Sequence, residues 1–297
     1  MLDRILHIID NILIIGTCFY TLYLFILAVA SHFRKRISYA KSERLNRILV
    51  LIPTDSQFLQ SNYPCYETVT YTDRATVIKE IDENKYDIAV LLGRIKQLSP
   101  LFLEKINDAF NAGVKAAQLH SILEKRSTFS SKLQAIRGEV NNSLYQKGNI
   151  QIGCSGSLTG PDIAIDMKWL KKNQKSSKSN LEKKLFKQQI DIEYLEDVCV
   201  YREKYEPHWF IPKRIKVLSK LKTTLLYGSW SYINRCIQWL LPSPRSCLIV
   251  TSMWTLIILF YDWEESFKWF NLLFALLFTI CLAIPDYLVE DKKRKKF

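Results

Sequence analysis

Three groups of residues in this 297-residue chain have the types and spacing to do chemistry. The first is the small-residue run Gly153-Cys154-Ser155-Gly156-Ser157-Leu158-Thr159-Gly160-Pro161. Glycine and serine suit a backbone that must approach a ligand closely, and they suit an ordinary tight loop as well. The second is a scatter of acids, Asp73, Asp87 and Asp162, open to metal-dependent transfer chemistry. The third is the basic stretch Pro212 to Lys222, PKRIKVLSKLK, with Trp209, Trp230 and Trp239 around it. Its cations fall largely on one side and Ile215, Val217, Leu218 and Leu221 on another, the pattern of a helix lying at a membrane surface. Metal ligation by sulfur and imidazole is not expected. The seven cysteines (Cys18, Cys65, Cys154, Cys199, Cys236, Cys247, Cys281) form no CxxC pair, and the four histidines are far apart. A cytoplasmic domain would keep these thiols reduced.

The apolar runs place these groups. Ile12 to Ser31 is long enough to cross a hydrocarbon layer of about 30 Å, and Arg34, Lys35 and Arg36 follow at once. Cys247 to Tyr261 and Phe270 to Val289 are a second and third run, and Lys292 to Lys296 close the chain with five consecutive cations. The acidic connector Asp262 to Trp269 lies between the last two. Positive charge flanking one side of each span predicts three crossings with the N-terminus outside and the main domain and C-terminus cytoplasmic, in an inner (cytoplasmic) membrane. The second run is short, which leaves a re-entrant hairpin open. A cleaved signal peptide is the rival for the first run, but its cations follow the apolar stretch and no small-residue cleavage site is visible. The net charge of +13 then belongs to the membrane surface. Nucleic acid is not an expected partner, because the basic residues adjoin the spans.

Between the spans the chain alternates strand and helix. Arg47 to Pro53 reads as a buried parallel strand stopped by Pro53, and Glu67 to Asp73 alternates as a second strand ending on an acid. A helix over Thr76 to Glu83 and a strand over Tyr86 to Leu92 follow, then a helix over Pro100 to Asn111 and a return strand over Ala112 to Leu119. Ser127 to Tyr145 reads as an amphipathic helix. Lys171 to Lys184 is Lys/Ser/Asn-rich and reads as a solvated linker. Leu181 to Glu206 supplies a helix and two short strand-like pieces, Ile190 to Tyr194 and Val198 to Tyr201. The expectation is an α/β cytoplasmic domain with a mainly parallel sheet.

The order of these segments resembles a family 2 glycosyltransferase with a nucleotide-sugar (GT-A, Rossmann-related) fold. The resemblance rests on Ile52-Pro53, on Leu98-Ser99-Pro100-Leu101-Phe102-Leu103, on Ala112-Gly113 through Gln118, on the small-residue loop, and on Tyr194-Leu195-Glu196-Asp197 with Val200-Tyr201-Arg202-Glu203. It covers about Ile48 to Glu206. It implies a remnant nucleotide or acceptor pocket at Pro53, Thr54, Asp73, Ser155, Gly156, Ser157, Thr159 and Gly160. It also shows what is missing. The family's metal-binding Asp-x-Asp falls on Gly93, Arg94 and Ile95, and its Thr-Glu-Asp base falls on Ser176, Ser177 and Lys178. A leaving pyrophosphate needs a hard cation held by oxygen ligands, and an acceptor hydroxyl needs a base. Glu182 lies one helical turn beyond the base position and is expected to face elsewhere. The Gly-Lys pair for the donor phosphates and the Gln-x-x-Arg-Trp motif are absent too.

These departures together imply a degenerate, non-catalytic member. It would need no cofactor and no metal, and would act as a scaffold or accessory subunit beside an active glycosyltransferase or an export component in glycan synthesis. The alternative is a divergent active glycosyltransferase using a divalent metal and a nucleotide-sugar. The expected organisation is an anchor over 1–36, a glycosyltransferase-like domain over 37–206, interfacial helices over 207–246 carrying Trp209, Lys213, Arg214, Lys216, Lys220 and Trp230, and a transmembrane hairpin with a basic tail over 247–297.

Overall fold

The structure, a computed structural model, describes residues 2–33, 38–54, 56, 61–124, 128–173, 181–203 and 229–289. The chain opens with α1 (Leu2–Phe33), a 32-residue helix that at 1.5 Å per residue is about 48 Å long. Strand β1 (Ile48–Pro53) follows, then β2 (Tyr66–Tyr71), α2 (Arg74–Glu80), β3 (Ile88–Leu91), the two-residue β4 (Gln97–Leu98), α3 (Phe102–Asn111) and β5 (Ala116–Leu123). Helix α4 (Phe129–Asn142) passes into a π-helical segment (Ser143–Gly148) and the short α5 (Asn149–Gln151). Strand β6 (Ile163–Asp166), α6 (Met167–Asn173), α7 (Leu181–Lys187) and β7 (Ile192–Arg202) complete the domain. After it come α8 (Trp230–Leu240), α9 (Pro244–Tyr261), α10 (Trp263–Leu282) and a terminal turn, α11 (Asp286–Val289).

The seven strands form one sheet in the order β2-β1-β3-β6-β5-β7-β4. It is mixed rather than mainly parallel. β1 pairs in parallel with β2 and β3, and β5 with β7, while β6 runs antiparallel to both β3 and β5 and β4 antiparallel to β7. The cause is the return path. The chain reaches β6 from the small-residue loop, which already lies at the edge where β3 ends, so β6 must run back across the sheet. Ile163 therefore pairs with Leu91, the last residue of β3. The two expected strand pieces after Ile190 are one strand, β7, whose register against β5 jumps between Leu119 and His120. That irregularity sets Glu196, Asp197 and Val198 opposite no β5 residue.

Alternation along β1 sorts the core onto two faces, since successive strand residues point to opposite sides. Ile48, Val50 and Ile52 join Phe102, Leu103 and Ile106 of α3. Leu49 and Leu51 join Leu170 of α6 and Leu185 and Phe186 of α7 on the other face. A third cluster holds the domain to the apolar helices: Tyr20, Leu24, Leu27 and Ala28 of α1 pack with Val140, Leu144, Cys247, Leu276 and Ala283.

Among the described residues three helices are long and apolar enough to cross a membrane: His7–Phe33 within α1, Pro244–Tyr261 and Trp263–Leu282. The third begins earlier than its hydropathy indicates, and the expected connector Asp262 to Trp269 is mostly helix. Asp262 caps α10 by accepting from the Glu264 and Glu265 amides, and both acids then sit in its first turn, where the helix dipole favours them. Inside this bundle the Asp10 carboxylate is buried and one of its oxygens accepts from the indole nitrogens of Trp254 and Trp269, each at 2.8 Å.

Candidate functional site

Parallel strands β1, β2 and β3 end side by side at Pro53, Tyr71 and Leu91, and such a carboxyl edge is where α/β sheets place ligands. The Tyr71 hydroxyl donates to the Leu92 carbonyl at 3.0 Å, and the Thr54 hydroxyl to the Tyr71 carbonyl at 3.1 Å, so the three strand ends are tied together. Thr54 is exposed there and Pro53 half-buried. Asp73 lies just past β2, two strands from β3. Its carboxylate accepts from the Thr76 amide at 3.2 Å and hydroxyl at 2.6 Å, which makes it the cap of the turn into α2. Asp87 pairs with Arg47 at the opposite end of the sheet, before β3, and takes no part in this edge.

The centre of the edge is Asp162, fully buried between β3 and β5. Arg202, from the end of β7, grips it with both arms of its guanidinium: Nε donates to Oδ2 at 3.0 Å and a terminal nitrogen donates to Oδ1. The Ser121 hydroxyl donates to Oδ2, and the Gly93 amide to Oδ1 at 3.2 Å. Thus Gly93, first of the three residues at the expected metal position, hands its N–H to a carboxylate that a cation already neutralises. Arg94 is exposed on this loop, and Ile95 packs against the α3 side of the core. The bidentate geometry suits an arginine–carboxylate pair in a buried site.

The small-residue loop reaches this centre through two glutamines. Gln118 of β5 accepts from the Thr159 and Gly160 amides at 3.0 and 3.2 Å and donates to the Asp162 carbonyl at 2.8 Å. Gln146 of the π-helical segment accepts from the Ser157 amide at 2.9 Å and donates to the Ser157 carbonyl and the Thr159 hydroxyl. Ser155, Gly156 and Ser157 are buried. The Ser155 hydroxyl accepts from the Ile192 amide at 2.7 Å, and a Cβ on Gly156 would stand 2.8 Å from the Ile192 carbonyl. Of the expected pocket, Thr159 and Gly160 come to the Asp162 centre. Ser155 and Gly156 turn inward and bolt the loop to Ile192 of β7, and Ser157 ties it to Gln146 and Tyr145 of the π-helical segment.

Glu182 corrects an expectation, because it faces this loop. The residues on either side of Lys171 to Lys184 are helical, in α6 and α7, and the Glu182 carboxylate is buried with Oε1 accepting from the Leu158 amide at 3.1 Å. Arg235 of α8 stands beside it as an ion pair, Nε to Oε1 at 2.9 Å. Burial raises the Glu182 pKa, and the Arg235 charge pulls it back. From Arg235 the polar contacts continue to Gln238, then to Asn149 and to Tyr23 of α1. Tyr23 also donates to Asn234, which donates to Asn149. One chain of contacts therefore runs from the first apolar helix to the backbone of the small-residue loop.

A second buried pair had no counterpart in the sequence reading. His120 of β5 places Nε2 2.9 Å from the Glu139 carboxylate of α4 and Nδ1 3.2 Å from the Glu196 carbonyl. Both partners can only accept, so both ring nitrogens carry protons and the ring is a cation. Burial, the largest single effect, would lower the His120 pKa, but the Glu139 charge together with hydrogen bonds to Cys199 and Glu139 raises it to about 9. Burial would likewise raise Glu139, and the His120 charge brings it down to about 2. The sequence did carry a signal: β5 reads AAQLHSIL, and three polar residues in a buried central strand must each find a partner.

Ser177 and Lys178, the base position, lie outside the described residues, as do Trp209, Lys213, Arg214, Lys216 and Lys220. Trp230 is the exposed first residue of α8. A divalent metal does not fit the residues at the edge. Gly93, Arg94 and Ile95 offer no side-chain oxygen, and the oxygens of Asp162 are committed to Arg202, Ser121 and Gly93. Among the described residues no group of three or more His, Cys, Asp or Glu is placed to hold a metal ion.

No known protein family matches the sequence, and no curated protein does. Among solved structures, the fold is similar to the mannosyltransferase PcManGT from Pyrobaculum calidifontis, solved in complex with GDP-Man and Mn2+. The likeness covers 95% of this chain and 99% of that one, at 10% sequence identity and a TM-score of 0.44.

Proposed function

We propose that this chain is a membrane-bound, glycosyltransferase-like protein that has given up metal-dependent sugar transfer and serves as a scaffold or accessory subunit of glycan synthesis or export. The observation that carries this reading is the closed Asp162–Arg202 pair under Gly93. The carboxylate best placed to hold a cation at the sheet's carboxyl edge is neutralised by a fixed guanidinium. A nucleotide diphosphate approaching that edge would meet no hard cation from this chain. The second support is the loop at 153–161, whose inner hydroxyls are spent on the protein's own backbone. The third is the chain of polar contacts from that loop through α8 to α1, which couples the domain to the apolar helices and suits a part that transmits contact with a membrane partner.

The experiment is binding of UDP, and of a panel of UDP- and GDP-sugars, to the detergent-purified chain with and without manganese, together with a transfer assay. No manganese-enhanced binding and no transfer are expected. Tight manganese-dependent binding, or turnover by the purified chain alone, refutes the reading.

One observation favours a second reading, an active enzyme of divergent chemistry. Glu182 is a buried carboxylate directly under the small-residue loop, where a base for an acceptor hydroxyl would be needed. Turnover lost in Glu182→Gln but retained in Arg235→Lys would establish it.

A further inference from the structure

Helix α4 carries an apolar line whose two halves have different neighbours. Phe129, Leu133, Ile136 and Val140 recur at spacings of four, three and four, so they share one face. Ile136 and Val140 are covered, packing into the cluster formed by α1 and the carboxyl end of α10. Phe129 and Leu133 are bare, 78% and 49% exposed. Lys132 and Arg137, both exposed, flank the bare half. The helix cannot roll to hide these side chains, because its neighbouring side is pinned to the sheet by the Glu139–His120 pair. Its start is fixed by a capping box between Thr128 and Ser131.

We propose that the amino-terminal half of α4 lies in the plane of the cytoplasmic membrane surface. Phe129 and Leu133 enter the boundary between headgroups and acyl chains, and Lys132 and Arg137 rest on anionic headgroups. The lipid surface is the occupant because the bare half continues, without a break, the face that the apolar helices already cover. Phe25 and Ile26 of α1, next to the residues of that cluster, are exposed as well, so uncovered apolar surface extends along α1 to the level of α4. Aromatic and aliphatic anchors between cations are the composition of an in-plane helix, and cations near an anionic surface strengthen its binding. This rests on the three apolar helices crossing the bilayer, and it adds a contact outside the basic stretch 212–222. The small-residue loop, which follows α4 through the π-helical segment, would then be held at a fixed height above the lipid.

The test places a bimane fluorophore at single cysteines in the full chain, with the exposed Cys18 and Cys281 replaced by alanine and the parent without added cysteine as blank. The protein is reconstituted in phosphatidylcholine–phosphatidylglycerol vesicles, with and without lipid carrying a nitroxide high on the acyl chain. Phe129→Cys and Leu133→Cys are expected to be quenched several-fold more by the nitroxide lipid than Gln134→Cys, which faces away. Iodide in the water phase should show the reverse order. Phe274→Cys, on the exposed face of α10, reports the crossing itself. Quenching at Phe274→Cys with Phe129→Cys behaving like Gln134→Cys overturns the proposal and leaves the crossing intact. Shielding of Phe129→Cys from both quenchers means that protein covers the face, which also overturns it. No quenching at Phe274→Cys removes the crossing and this proposal together.

Discussion

Arg202→Met is the sharpest perturbation of the Asp162 centre. It keeps an unbranched stem and removes the guanidinium, leaving a fully buried carboxylate with the Ser121 hydroxyl and the Gly93 amide as its remaining donors. Removing one partner of a buried ion pair costs about 3–5 kcal/mol, chiefly because the other charge is stranded. Asp162→Leu strands the guanidinium instead and should cost a similar amount. The double variant strands neither charge. It leaves the Gly93 amide and the Ser121 hydroxyl without their acceptor, at about 1–3 kcal/mol, so it should be more stable than either single variant. The assay is thermal unfolding of the detergent-purified full chain. For a domain of this size about 1 kcal/mol moves the midpoint by roughly 2–4 °C, so each single variant should melt about 6–20 °C lower, with the double closer to the parent. Additive losses in the double, or single variants that melt within about 2 °C of the parent, would refute the closed pair. The case against a metal on the Asp162 carboxylate would fall with it.

The His120–Glu139 pair predicts a pH profile. The raised imidazole contributes stability fully below about pH 6.5 and loses it as pH rises through about 9, while the lowered carboxylate contributes above about pH 4.5 and loses it as pH falls through about 2. The melting midpoint, measured against pH, should therefore fall between pH 6.5 and 9 in the parent and be flatter there in Glu139→Gln; parallel curves would contradict the assignment. Gly148→Ala should destabilise by about 1–3 kcal/mol through overpacking, because its Cβ would stand 2.5 Å from the Leu27 carbonyl of α1. Gly16→Ala, inside α1 with nothing within 4 Å, is the control expected not to lower the midpoint in the same melting assay. Asp10→Leu removes the shared acceptor of two indoles and should cost about 1–2 kcal/mol, whereas Asp10→Asn retains an amide oxygen and should cost less. A shift in tryptophan emission in the leucine variant alone would report it.

Much of the architecture is local and could be read from the chain. Ile48 to Pro53 is apolar at every position because β1 is covered on both faces, and Pro53 ends it because it cannot continue the ladder. Leu98-Ser99-Pro100 announces α3, and the apolar runs mark three helices of membrane-crossing length. The absence of carboxylates at Gly93–Ile95 is likewise a fact of the sequence. The burial of Glu182 is not legible in the sequence, because residues 171–184 look like solvated linker by composition. Composition does not say which side of a short helix is covered by another helix 50 residues later, and here α8 brings Arg235 to it. Strand β6 was overlooked because Ile163-Ala164-Ile165 is too short to show a period.

The sequence alone determined the alternation of buried strands with helices, the apolar runs and the absence of carboxylates at Gly93–Ile95, since each is a property of neighbouring residues. The tertiary structure alone decided what the remaining polar groups do. Asp162 and Arg202 are 40 residues apart, and so are not neighbours in any local pattern. They meet because β6 turns back between β3 and β5, and because β7 lies along β5 with Val200 to Arg202 beside Ser121 to Leu123. A buried charge is fixed by whichever opposite charge the sheet order delivers to it, and sheet order is set by the packing of the whole domain.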